Sequence, residues 1–243
     1  GVGRDAEADE AHRLAEEAAA KKAILEIKER AAETRREEAE NEVARVTREI
    51  NNARLAVEAA EREIGRLNRE VVLAERDYHD AEAAKANNDS RIATEEARVA
   101  GVGADAADAA FAAANGAGSP DAPRLADEAL EANRVRHRTG IAAARHAFQA
   151  AVAAKVQLQA HAKAADVERR FQLDIEAIER FATRDAEADE ALRLAGVAEG
   201  ARDRLLGEVE EAARQEVVAE RVMLEATAGE AAFVSRLTAA AAR

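Results

Sequence analysis

Between Ala39 and Ala81 apolar residues recur at alternating steps of four and three without a slip: Ala39, Val43, Val46, Ile50, Ala53, Val57, Ala60, Ile64, Leu67, Val71, Ala74, Tyr78 and Ala81. The positions between them are mostly Glu, Arg, Asn and Asp. A narrow apolar seam of period 3.5 winds one helix around another in a left-handed supercoil. Forty-odd residues at 1.5 Å rise give about 60 Å of such helix. The residues expected to face another helix are Val43, Val46, Ile50, Val57, Ile64, Leu67, Val71 and Tyr78. The a positions are β-branched up to Val71 and the d positions are mainly Ala. β-Branched a residues favour two parallel strands. Ala at d lets backbones approach closely, which also suits an antiparallel hairpin.

Upstream, residues 4–34 are helical by propensity, but Leu14, Ala18, Ile24, Leu25, Ile27 and Ala31 do not follow this register as a set. Extending the seam backward places Arg36, Glu29 and Lys22 on it, so a phase shift is expected near 28–38. Downstream the seam meets Lys85 and Asn88 before Ile92, and Asn87-Asn88-Asp89-Ser90 marks a weak point in the helix.

The clear break is Gly101 to Pro123, with its Gly clusters, Asn115-Gly116 and both prolines of the chain. A short helix over 104–114 carrying Phe111 is expected inside it. Ser119 or Asp121 then caps the next helix, with Pro123 in its first turn. Beyond lies a second helical arm with a broad apolar stripe, including Leu125, Ile141, Phe148, Val152, Val156, Phe171, Ile175, Ile178 and Phe181. Such a stripe suits packing against more than one helix. Gly196, Gly200 and Gly207 place a bend or second break near 196–207. The expected organisation is a first arm over 1–100, a connection over 101–123, a second arm over 124–195 and a C-terminal segment over 196–243. The fold class is all-α: an elongated long-helix hairpin or coiled coil with a C-terminal helical extension that continues the rod.

One local repeat stands out. RDAEADEAHRLAEEA at 4–18 aligns with RDAEADEALRLAGVA at 184–198, identical at 12 of 15 positions. The match fades quickly on either side, which points to duplication of a helical unit rather than to a solenoid.

Composition narrows the class. Aromatics are 2% of 243 residues, there is no Trp, and charged residues reach 35%, so the chain can fill only thin seams between helices. The net charge of −13 disfavours nonspecific nucleic-acid binding, which depends on neutralising phosphates. Without cysteine, disulfides and Cys-based metal sites are excluded. No apolar run approaches the ~20 residues that span a bilayer, and no signal peptide is visible. The chain begins with Gly and its one Met is Met223, as expected of a trimmed start or of part of a longer protein. A location inside the cell or within a large assembly is favoured.

Candidate chemistry is sparse. Asp9-Glu10-Ala11-His12 spells a helicase-type acidic box, but in an Ala/Glu helix and with no GxxxxGK[ST] anywhere. The histidines at 12, 79, 137, 146 and 161 lack the paired Glu-x-x-His motifs of a bundle di-metal site. No nucleophile elbow or GxGxxG is present. No catalytic residue, cofactor site or metal site is therefore expected, and the chain is read as non-enzymatic.

Charge distribution adds one feature. Residues 132–165 contain no Asp or Glu but carry Arg134, Arg136, Arg138, Arg145, Lys155 and Lys163. If the chain folds back near 117, these face roughly 69–102, so internal or self-assembly pairing is favoured over docking of an acidic partner. The expected function is a structural coiled-coil protein that scaffolds or braces a larger assembly, of the cytoskeletal, ciliary, microtubule-lattice or virion kind. The expected partners are other protein subunits or further copies of the chain. The alternative is a helical hairpin that binds anionic membranes through Ile141, Phe148, Val152 and Val156.

Overall fold

The computed structural model describes the backbone of residues 2–179 and 185–241, with side chains from 3–173 and 189–241. It is all-α. Helix α1 spans Val2–Gly116, α2 spans Ala122–Glu179 and α3 spans Asp185–Ala241, with no strand among the described residues. The chain divides into two units, Gly1–Ile64 and Gly65–Arg243.

The first unit is a stretch of α1 in which every residue with a described side chain is exposed. Its helix is supported by ion pairs one turn apart: Glu10–Arg13, Arg36–Glu40 at 2.8 Å, Arg45 with both Glu42 and Glu49, and Arg54–Glu58. Each such pair contributes about 0.2–0.5 kcal/mol. That is too little by itself to hold a long isolated helix.

The second unit is a bundle of α1 from Gly65 onward, α2 and α3. The α1–α2 hairpin closes on a turn far shorter than the expected 101–123 connection. Helix α1 runs unbroken through Gly101, Gly103 and the 104–114 segment, and only 117–121 is non-helical. Two glycines cost roughly 1 kcal/mol each. They sit among alanines beside Ala104, which is wholly buried, so packing and propensity carry the helix past them. The Asn87–Ser90 weak point is helical for a similar reason: Asp89 and Ser90 are half-buried in the bundle. The helix ends where a left-handed residue is supplied. Gly118 has φ of +64°; its N–H reaches the Asn115 carbonyl (3.2 Å) and the Ser119 N–H the Ala114 carbonyl (2.9 Å). This is the Schellman ending. The Asp121 carbonyl accepts the first bond of α2 from Leu125, which makes Asp121 the N-cap and places Pro123 in the first turn.

Helix α2 returns antiparallel to α1, shown by Arg136–Asp105 (2.9 Å), Lys163–Glu75 (2.5 Å) and Glu168–Arg69 (2.7 Å). Helix α3 does not continue the rod as expected. It runs back antiparallel along α2, joined by Lys155–Glu216, by Asp166–Arg202 (3.4 Å) and by stacking of His137 on Phe233 (4.5 Å). The expected break at 196–207 is absent, because Gly196, Gly200 and Gly207 all lie on the exposed side of α3. The reversal instead falls between Glu179 and Asp185, so the second arm ends before 195. Phe181 lies outside the described residues, as do the side chains of Ile175 and Ile178. The broad stripe of α2 has the anticipated consequence: the helix packs against α1 on one side and α3 on the other.

The core is thin. Among the described residues, twelve of the fourteen buried apolar ones are Ala, with Val72 and Ile141 the exceptions. Methyl groups permit helix axes to approach to about 8 Å, but each buries little area. Cohesion therefore comes from many small contacts.

Candidate interaction surface

The face of α1 that α2 covers is not the heptad seam. The buried α1 residues are Val72, Ala83, Ala93 and Ala104, spaced ten or eleven apart. Steps of eleven, ten and eleven each cover three turns, so the covered face keeps nearly the same period as the seam and runs beside it around the helix. Neighbours show the contrast: Val72 is 3% exposed and Val71 is 56% exposed. A step of one residue turns about 100° around a helix of 3.6 residues per turn, so seam and covered face are distinct.

Every expected seam residue is solvent-facing. Val43, Ile50, Val57 and Ile64 are exposed in the first unit, together with Val46. Leu67, Val71 and Tyr78 are exposed in the second. The same register reappears beyond the polar interruption at Lys85 and Asn88, where Ile92, Val99 and Val102 are also exposed. Sequence reading followed the seam through Lys85 and Asn88 to Ile92; continuing the four-three count adds Val99 and Val102.

The basic segment is largely neutralised from within. Arg136 pairs with Asp105, Lys163 with Glu75 and Lys155 with Glu216, the first two across to α1 and the third to α3. Arg134 reaches Glu131 on its own helix at 3.5 Å. Arg138 and Arg145 are exposed and have no ion pair among the described residues. His161 Nε2 lies 2.6 Å from Asp80 Oδ1, and Gln157 donates to the same oxygen at 2.8 Å. The Gln157 hydrogen bond and then the His161 contact hold the Asp80 carboxyl below its usual range.

One cluster escaped sequence reading. Asp166 sits among Arg169 (3.1 Å), Arg170 (2.9 Å) and Arg202 (3.4 Å), tying α2 to α3. Burial pushes its carboxyl up, but the Arg169 hydrogen bond and the charges of Arg170 and Arg169 outweigh this and leave it below the usual range. Nearby, Arg69 bonds Glu168 and lies over the Phe171 ring at 4.6 Å. Arg169 and Arg170 lie one turn from Asp166, but Arg202 is 36 residues from it and Arg69 is 99 from Glu168, so local spacing does not announce the contacts between helices.

The grooves are shallow meeting points of helices. One of about 550 Å³ is lined by Thr94, His137, Gly140, Ala144, Val222 and Gly229. Another of about 370 Å³ lies between Tyr78 and His79 on α1 and Phe148, Val152 and Val156 on α2. The apolar residues of the membrane alternative are thus covered: Ile141 is buried, and the other three are half-buried in this groove. No group of three or more His, Asp or Glu is placed to hold a metal among the described residues, and no described helix is long and apolar enough to cross a membrane. His12 lies exposed on α1 beside Glu16, and the Asp9–His12 box is part of that helix.

No known protein family matches the chain, and no curated protein or solved structure is significantly similar to it.

Proposed function

We propose that the chain is a non-enzymatic structural protein whose α1 seam joins it to other helices in a larger assembly. One observation carries this reading: an unbroken heptad seam, Val43 to Ile64, lies wholly exposed on a helix whose own ion pairs are too weak to sustain it. A helix of that length gains its stability from burying an apolar face. A seam this narrow offers room for one or a few helices and not for a small molecule. The basic segment of the three-helix unit is spent mainly on internal pairing.

The test is the double variant Ile50→Asp/Ile64→Asp in the full chain. Sedimentation should show loss of assembled species, and circular dichroism should show loss of part of the helix signal. Unchanged mass and unchanged helix signal would remove the basis of this reading.

A further inference from the structure

We infer that the partner of the α1 seam is a second copy of this chain, paired in parallel and in register over about residues 18–68. This deepens the scaffold reading and rests on it. The a positions Val43, Ile50, Val57 and Ile64 are all β-branched, the choice that favours two parallel strands.

The flanking charges choose the orientation. In a parallel, in-register pair each g residue meets the e residue five positions on in the other chain. Lys21 then meets the partner's Glu26, Lys28 the partner's Glu33, Arg35 the partner's Glu40 and Glu49 the partner's Arg54. From residue 14 to residue 68 this rule sets no two like charges together. From Glu70 onward it reverses: Glu70 would meet the partner's Glu75, and Asp77 the partner's Glu82. The change falls beside Arg69, where the described contacts of α1 with α2 begin. An antiparallel pair that matches the apolar layers, Ala39 against Ile64, sets Glu40 near the partner's Glu61 and Glu42 near the partner's Glu63. Like charges then face each other on both flanks.

The repeat supplies independent support. Ala191, Ala195 and Ala198 in the second copy of the motif are buried at 4%, 5% and 9% exposure. Their counterparts Ala11, Ala15 and Ala18 are exposed, and they fall on the d, a and d positions of the same α1 register. The upstream segment therefore keeps alanine or leucine at d (Ala11, Ala18, Leu25, Ala32) even though Lys22, Glu29 and Arg36 occupy a. Those three charged layers oppose the pair, which confines its apolar grip to Ala39–Leu67.

The chain has no cysteine, so single cysteines report geometry directly. Ala39→Cys and Leu67→Cys each place a thiol at a d layer, and Arg48→Cys places one on the opposite face. In a parallel, in-register pair the two copies of a d-layer thiol lie within disulfide reach. On mild oxidation of the full chain, Ala39→Cys and Leu67→Cys should each give disulfide dimers by themselves, on the order of tenfold faster than Arg48→Cys, because a held pair has a high effective concentration. Cross-linking of Ala39→Cys only when its chain is mixed with Ile64→Cys chains would show an antiparallel pair and overturn the inference. Equal rates for all three, or no cross-link in any, would overturn it as well. Such results leave the scaffold reading standing wherever Ile50→Asp/Ile64→Asp still loses assembled species, so the two can fail separately.

Discussion

At the scale of single residues, the bundle is built from alanine, and the consequence is intolerance of bulk rather than of loss. Ala104 is 0% exposed and Ala83 is 1% exposed, each held between helices. Ala104→Leu should force the helices apart and lower stability by about 1–3 kcal/mol, read as a fall in thermal midpoint. Asp166 is a residue whose charge state bears on stability. The fold holds its carboxyl below the usual range, so the unfolded chain takes up this proton first as pH falls. The contribution is complete above about pH 4 and is lost as pH drops through the folded-state value. Asp166→Asn should therefore cost on the order of 1 kcal/mol at pH 7 in urea unfolding, with the gap to wild type closing at pH 3 and below. A gap independent of pH would show that the cluster acts through packing alone.

At the scale of elements, glycines with the same chemistry have opposite roles. Gly118 needs its left-handed backbone to end α1, so Gly118→Ala should cost about 1 kcal/mol. Gly101 lies inside the helix with open space where a Cβ would sit, so Gly101→Ala should stabilise by about 0.5–1 kcal/mol. Thermal melts of the two variants should move in opposite directions. Sequence reading took Gly101 and Gly103 as the start of a break because glycine spacing is the same signal in a turn and in a tolerated helix. Its conditional fold-back near 117 falls in the 117–121 turn. It missed the α2–α3 reversal altogether, since Glu179–Asp185 carries no Gly or Pro. For α3 it read Gly196–Gly207 as a break, and these glycines face outward on a continuous helix.

At the scale of the whole molecule, the prediction concerns what covers α1. In a parallel pair Arg54 faces the partner's Glu49, so Arg54→Glu turns attraction into repulsion at two symmetric sites. Dimer dissociation should rise several-fold to about tenfold at low salt, and the effect should shrink at high ionic strength, as expected for exposed ion pairs. An antiparallel pair matched on its apolar layers sets Arg54 near the partner's Thr47 and predicts little change. Sedimentation at two salt concentrations separates the cases.

The helical class, the seam and its register were legible in the sequence because they depend on periodicity, which is local and survives any choice of partner. The pairing of the basic segment with acidic positions of α1 was also legible in outline, through the position of the turn. Which face α2 would cover was not. Val71 and Val72 are adjacent and chemically identical, and only the docking of α2 decides that one is buried and the other left to solvent. Two faces of α1 share nearly the same period, the bulky seam and an alanine-rich face beside it. The tertiary structure used the second internally, because alanines let helix axes approach closely. That choice leaves the first face exposed, and the proposed interaction surface rests on that exposure.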